Sequence, residues 1–211
     1  MKKLVIVGNG GFAREVEWLV ERINAVTPTW DFIGFIDNDS SGSKVIGDDE
    51  YVINHDKELF VSIAIGTSSI REKIYSAYKA NANINFPNLI DPSVILSNRV
   101  SFGEGNIVCA GSILTVDIEI GNCNIINLDC TIGHDAIIRD FVTINPSVNV
   151  SGNTIIETGV NVGTGTQIIQ GLSIGKNSIV GAGAVVNLEL PAYCTAVGIP
   201  AKVIKVHSES E

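Results

Sequence analysis

The 211 residues include 14 basic and 23 acidic side chains, a formal charge of −9 that argues against nucleic acid or an anionic membrane as the main partner. A chain this long buries a core without staples, and its four cysteines, Cys109, Cys123, Cys130 and Cys194, show neither CxxC nor metal-type spacing, so they are expected as packed thiols. The apolar run at 4–7 is too short for a signal peptide and nothing approaches the ~20 apolar residues of a membrane helix, so a cytoplasmic protein is expected.

Residues 4–7 read as a buried strand, followed by Gly8-Asn9-Gly10-Gly11 and a helix over about 13–23. A strand, a glycine turn and a helix start form a place where backbone N–H groups can meet a phosphate. A second strand over 32–36 ends at Asp37-Asn38-Asp39, and a third over 61–65 ends at Gly66. A helix over 68–80 follows, with Ser68 or Ser69 as its cap and Glu72 in its first turn. Alternating strand and helix predicts a small parallel α/β sheet over 1–86, with any ligand at the carboxyl ends of its strands. Asp37 is suited to accept bonds from a ribose or a base, and Asp and Asn after a strand are also ordinary turn formers.

Beyond residue 87 the pattern changes. Every sixth residue from Ile90 to Val186 is apolar, with no insertion. A helix repeats near 3.6 and a simple strand near two, so a period of six implies short strands joined by a fixed corner. Residues two positions earlier, among them Val100, Ser112, Cys130, Val148 and Thr166, are mostly small or β-branched, as a pleat with two inward side chains requires. Gly103, Gly121, Asn127, Gly133, Asn145, Gly163, Gly175 and Gly181, just after the aliphatic position, are read as turn residues tolerant of positive φ. Residues 87–211 are therefore expected to form a parallel β-helix. Its ends need covering, with the N-terminal domain and the tail from Pro191 as candidates. Asn127 and Asn145, 18 apart, are expected to form a structural ladder rather than to act in catalysis.

Among the three histidines His134 alone lies on the coil. It follows the inward Ile132 and the turn residue Gly133, so it should point outward near a corner, where a neutral imidazole can accept a proton near physiological pH. Gly152, 18 residues on, should stack over it, leaving room for a reacting group and offering an N–H to an oxyanion. The alternative is that Ser151-Gly152-Asn153 is only a turn.

The repeat resembles that of the hexapeptide-repeat acyltransferases, whose β-helix is left-handed with 18 residues per coil. The whole order further resembles the sugar acetyltransferases typified by the bacterial sialic acid O-acetyltransferase and the bacillosamine-pathway N-acetyltransferase. The likeness runs from Val5-Ile6-Val7-Gly8-Asn9-Gly10-Gly11 through Ala64-Ile65-Gly66, Asn88-Leu89-Ile90-Asp91-Pro92-Ser93 and Ile132-Gly133-His134-Asp135 to Val197-Gly198-Ile199-Pro200-Ala201-Lys202. It implies a Rossmann-like domain that holds a nucleotide-linked sugar, with Gly11, Phe12, Ala13, Asp37, Asn38 and Gly66 lining the site. The family often carries histidine in the glycine turn where this chain has Phe12, which changes the hydrogen bonding near the sugar.

By the same likeness His134 is the general base and Asp135 raises its basicity. Acetyl-CoA runs past Thr143, Gly152, Thr164 and Ala182 towards Pro200 and Lys202, with Lys176, Lys202 and Lys205 near its phosphates. The resemblance also implies a homotrimer with the site between neighbouring coils. The leading expectation is N-acetylation of a UDP- or dTDP-linked amino sugar in polysaccharide or glycan synthesis, with sugar O-acetylation as runner-up and a non-catalytic nucleotide-sugar scaffold third. Zinc enzymes built on such coils use several histidine ligands, so no metal is expected with one coil histidine. A nucleotidyltransferase is disfavoured because the N-terminal segment lacks a basic, glycine-rich triphosphate loop.

Overall fold

The computed structural model describes residues 1–39, 42 and 44–208. The N-terminal part runs β1 (Lys2–Val7), α1 (Gly11–Val26), β2 (Trp30–Ile36), β3 (Val45–Gly47), α2 (Asp49–Ile53), β4 (Leu59–Ile63), α3 (Ser68–Lys79) and β5 (Ile84–Asn85). The short elements β3, α2 and β5 carry too little periodicity to be read from sequence. All five strands are parallel, in the order β3-β2-β1-β4-β5. The chain thus crosses over between β1 and β4, where an open α/β sheet places its ligand crevice. Alternation along β1 assigns the two faces: Leu4 and Ile6 pack with α1, while Val5 and Val7 pack with Val52 and Tyr78 of α2 and α3.

From Leu89 the chain winds through two-residue strands spaced six apart, which stack in parallel at a spacing of 18 into three sheets. The first face holds the strands from Leu89–Ile90 to Ile179–Val180, the second those from Ile95–Leu96 to Val185–Val186, and the third those from Ser101–Phe102 to Ser173–Ile174. The inward column from Val108 to Val186 is buried in one continuous core. Buried hydroxyls of the second column bond nearby carbonyls, as Ser112 does to Asn127 and Thr166 to Gly163.

Three expectations about the coil are corrected. The left-handed residue of each corner lies three positions after the aliphatic one, as in Asp117, Asp129, Asp135 and Asn153, not directly after it. Glycine directly after the aliphatic residue answers instead to close stacking: a Cβ on Gly133 would lie 2.5 Å from the Gly152 nitrogen. The asparagine ladder is formed by Asn88, Asn106 and Asn124, whose side-chain oxygens accept the N–H groups of Asn106, Asn124 and Val142. Asn127 and Asn145 instead bond Leu128 N–H and Asn161.

The N-terminal domain also does not cap the coil. It docks along the side, leaving Leu96 in the first coil 39% exposed, while the antiparallel strands Cys194–Val197 and Lys202–Val206 extend the first face at the far end. Two helices make the docking. Helix α1 lies over the first face, where the outward Leu89, Ile107 and Ile125 are buried in the cluster that holds Leu19 and Val20. Burial of each aliphatic side chain is worth roughly 1.5–3 kcal/mol gross. Helix α3 lies along the corner between the third and first faces, where Ser68, Arg71, Tyr75 and Lys79 bond successive coils at Gly159, Phe141 and Cys123, and Glu104. That spacing is one helical stripe.

From α1, Arg22 holds Asp91 at 2.5 and 3.0 Å, and Asp91 also accepts from the Ser93 N–H and hydroxyl. Burial pushes the Asp91 carboxyl up, but the hydrogen bonds from Arg22 and Ser93 outweigh it and bring it from 3.8 to about 2. A folded value below the unfolded one contributes stability above the unfolded pKa, and that contribution is lost as pH falls through the folded one. Asp91→Asn should therefore melt below wild type at neutral pH, with the difference closing between about pH 4 and pH 2, as followed by circular dichroism.

Candidate active site

Two groups of residues come together, one at the sheet crevice and one on the coil. At the crevice, Gly8 with φ 99° lets β1 pass beside β4; a Cβ there would meet Ile65 at 2.9 Å. Gly10 caps α1 without a side chain, and Gly11 begins the helix, so unpaired N–H groups point into the crevice. Gly66 is exposed beyond β4, and Asp37 and Asn38 follow β2, so the expected residues share the carboxyl edge of the sheet. Asp37 accepts the Asp39 N–H at 2.9 Å, an Asx turn that sets its carboxylate. Phe12 is half-buried against the α1 cluster, whereas the Ala13 side chain is fully core, so that only its backbone can serve a ligand.

On the coil, His134 and Asp135 occupy the corner between the second and third faces. Adjacent residues on a strand face opposite ways, but Asp135 has φ 58°, and this left-handed step turns its carboxylate back onto the ring. His134 Nδ1 lies 2.7 Å from Asp135 Oδ2. A carboxylate only accepts, so Nδ1 donates here, and in the neutral tautomer that makes this bond the lone pair is on Nε2. The side chains are 52% and 59% exposed, open to an incoming group.

Gly152 stacks on His134 as the 18-residue spacing requires. Its missing side chain is filled by the imidazole itself: a Cβ would lie 2.5 Å from Nε2. Thr164 and Ala182 stack together on a different edge, between the first and second faces, and both are exposed. Thr143 departs from expectation. It is 4% exposed under the N-terminal domain, and its hydroxyl donates to Gly66 O at 2.9 Å, because its outward position on the first face is covered by that domain. Lys202 lies on the terminal hairpin, Lys205 follows on the same strand, and Lys176 sits in a corner between the third and first faces.

Two arginines beside the crevice were not singled out from the sequence. Arg14 stands exposed in the first turn of α1, which holds no acidic residue, close to Gly11. Arg71 is 1% exposed, and burial pushes its guanidinium down to about 10. No local pattern marks it. The four cysteines are all free and buried, with burial pushing the thiols of Cys109 and Cys123 up to about 12 and Cys130 up to about 11, which makes these three inert. Among the described residues no group of three or more His, Cys, Asp or Glu could hold a metal ion, and no helix is long and apolar enough to cross a membrane.

The contact between Gly152 and the imidazole gives a direct test. Gly152 lies outside the left-handed region, so Gly152→Ala is tolerated by the backbone and acts through the ring alone. The crystal structure of that variant should show the imidazole displaced and its bond to Asp135 broken.

Residues 3–78 match the family described as the PglD N-terminal domain. Comparison of the sequence with curated proteins finds no match. Among solved structures, PerB from Caulobacter crescentus, in complex with CoA and GDP-perosamine, is 30% identical with a TM-score of 0.88, over 97% of this chain and 98% of that one. WeeI from Acinetobacter baumannii is 30% identical with a TM-score of 0.87, over 97% and 100%. The acetyltransferase domain of PglB from Neisseria gonorrhoeae, in complex with acetyl coenzyme A, is 29% identical with a TM-score of 0.90, over 96% and 99%. With its Rossmann-like domain, its coil and these full-length similarities, the chain belongs to the bacillosamine-pathway family of nucleotide amino-sugar N-acetyltransferases.

Proposed function

We propose that this protein transfers the acetyl group of acetyl-CoA to the amine of a nucleotide-linked amino sugar, with His134 as general base. The observation that carries the reading is the imidazole held by Asp135 at 2.7 Å on an open corner of the coil, in a chain whose other domain ends its parallel strands in a phosphate-type crevice. The similar PerB was solved with CoA and GDP-perosamine, and the similar PglB domain with acetyl coenzyme A.

In this reading the N–H groups at Gly11 and Ala13, with Arg14, meet the diphosphate, while Asp37, Asn38 and Gly66 border the nucleoside and Phe12 the sugar. The sugar amine attacks the thioester carbonyl carbon while His134 Nε2 takes its proton. The Asp135 carboxylate stabilises the imidazolium so formed. The Gly152 N–H stabilises the oxyanion of the tetrahedral intermediate. As that intermediate collapses, the C–S bond breaks and the leaving sulfur takes the proton from His134, giving the amide and CoA.

Thr164 and Ala182 border the pantetheine arm. Because they lie on a different edge from His134, the site closes between copies of the chain, with base and cofactor residues drawn from neighbouring subunits of a homotrimer. Exposed Ile169 and Leu188 on the His134 edge, 48% and 70% accessible, supply apolar surface for that contact.

Thiol release from acetyl-CoA, measured with UDP-, dTDP- and GDP-linked amino sugars and their hydroxyl counterparts, tests the assignment. Wild type should turn over an amino sugar, and kcat of His134→Ala should fall by about 10²–10⁴. Turnover with hydroxyl sugars alone would make the enzyme an O-acetyltransferase, and equal rates in the two proteins would remove His134 from the chemistry. Binding of a nucleotide sugar without any turnover would leave a binding module.

A further inference from the structure

Helix α3 covers the corner of the coil between the third and first faces and removes water from it. The corners between the first and second and between the second and third faces place Gly, Asp, Asn or Ser at their described left-handed positions, whereas this corner, beside Gly105, Gly159 and Asn177, carries Cys123 with φ 52° and Phe141 with φ 58°. In a solvent-facing corner the carbonyl of such a residue can be hydrated. Here the carbonyls of Cys123 and Phe141 are met by Arg71, Nε at 2.8 Å and a terminal nitrogen at 2.7 Å.

The same guanidinium reaches the other way. Its second terminal nitrogen donates to Ile65 O at 2.6 Å and Gly66 O at 3.1 Å, in the turn that follows β4. Thr143 completes the join, accepting from Arg71 at 3.0 Å and donating to Gly66 O at 2.9 Å. All of these partners are neutral oxygens. A buried guanidinium is costly without a carboxylate, so bulk stability is a poor account of an arginine here. What its planar fork does provide is a fixed separation between two backbones. Gly66 itself is exposed, and a Cβ on it would meet nothing within 4 Å, so its carbonyl is pinned while its other side faces open space.

We infer that Arg71, through Thr143, is a positioning residue for the nucleotide-sugar site, holding the Gly66 wall of the crevice at a set place on the coil. This rests on reading that crevice as the sugar-nucleotide site. Arg71 touches neither substrate; it acts through the Ile65 and Gly66 carbonyls. Loosening it should weaken the nucleotide and leave acetyl-CoA, which runs along other edges, untouched.

Arg71→Lys keeps the charge but cannot span both backbones, and Thr143→Val removes only the hydroxyl bridge. Calorimetric titration of the full-length protein with UDP, dTDP and GDP, and separately with CoA, should show nucleotide Kd raised about tenfold in Arg71→Lys and a few-fold in Thr143→Val, the scale of one or two lost hydrogen bonds. The Kd for CoA should stay within about twofold, and KM for the two substrates should split in the same way. Equal weakening of both ligands, or unchanged nucleotide binding in the folded variants, overturns the inference. Should Arg71→Lys fail to fold, Thr143→Val decides it. If wild type binds none of the diphosphates, the crevice is misread and this inference falls with it; if wild type binds and both variants match it, only the role of Arg71 is lost.

Discussion

Each coil passes its backbone N–H groups to the carbonyls of the next, as Ile113 does to Cys130, Thr131 to Val148 and Asn149 to Thr166, and this register never slips along the coil. Everything else in the molecule is referred to that ladder. It brings Gly152 beneath His134, aligns Thr164 with Ala182, and sets Leu89, Ile107 and Ile125 in one outward column for α1. A single inserted residue would turn every later side chain to the wrong side, as in any strand pairing with one buried face.

The ladder also explains why the N-terminal domain sits on the side of the coil and not across its end. Parallel stacking offers two long surfaces, a flat face and a corner, and the two helices use one each. The face is joined by apolar burial, which is strong but tolerant of sliding. The corner is joined by directed hydrogen bonds from α3, which are not. Ser68 illustrates the competition: its hydroxyl bonds Gly159 O in the coil instead of capping its own helix, and the cap position passes to Thr67 without a side-chain bond. The domain is thereby oriented as well as attached, and the crevice at Gly11 and Gly66 has a defined relation to the coil.

Within the candidate site, local backbone geometry sets the orientation of the histidine. Asp135 reaches the ring through one left-handed residue, and that conformation recurs at the equivalent place in corner after corner, at Asp117, Asn153 and Gly171. The His134–Asp135 arrangement is thus an ordinary corner of the coil with a histidine placed before its turn residue. The pair sits there without disturbing the register of the coil.

Much of this was legible in the sequence. The six-residue aliphatic spacing, the strand–glycine–helix opening and the 18-residue relation between His134 and Gly152 are local or strictly periodic, so counting finds them. What only the tertiary structure decided are the meetings of distant segments: Arg71 with Cys123 and Phe141, Thr143 with Gly66, and Arg22 with Asp91. Periodicity says which way a side chain points. It does not say what stands there, because the partner is chosen by how two separately folded surfaces come to rest against each other.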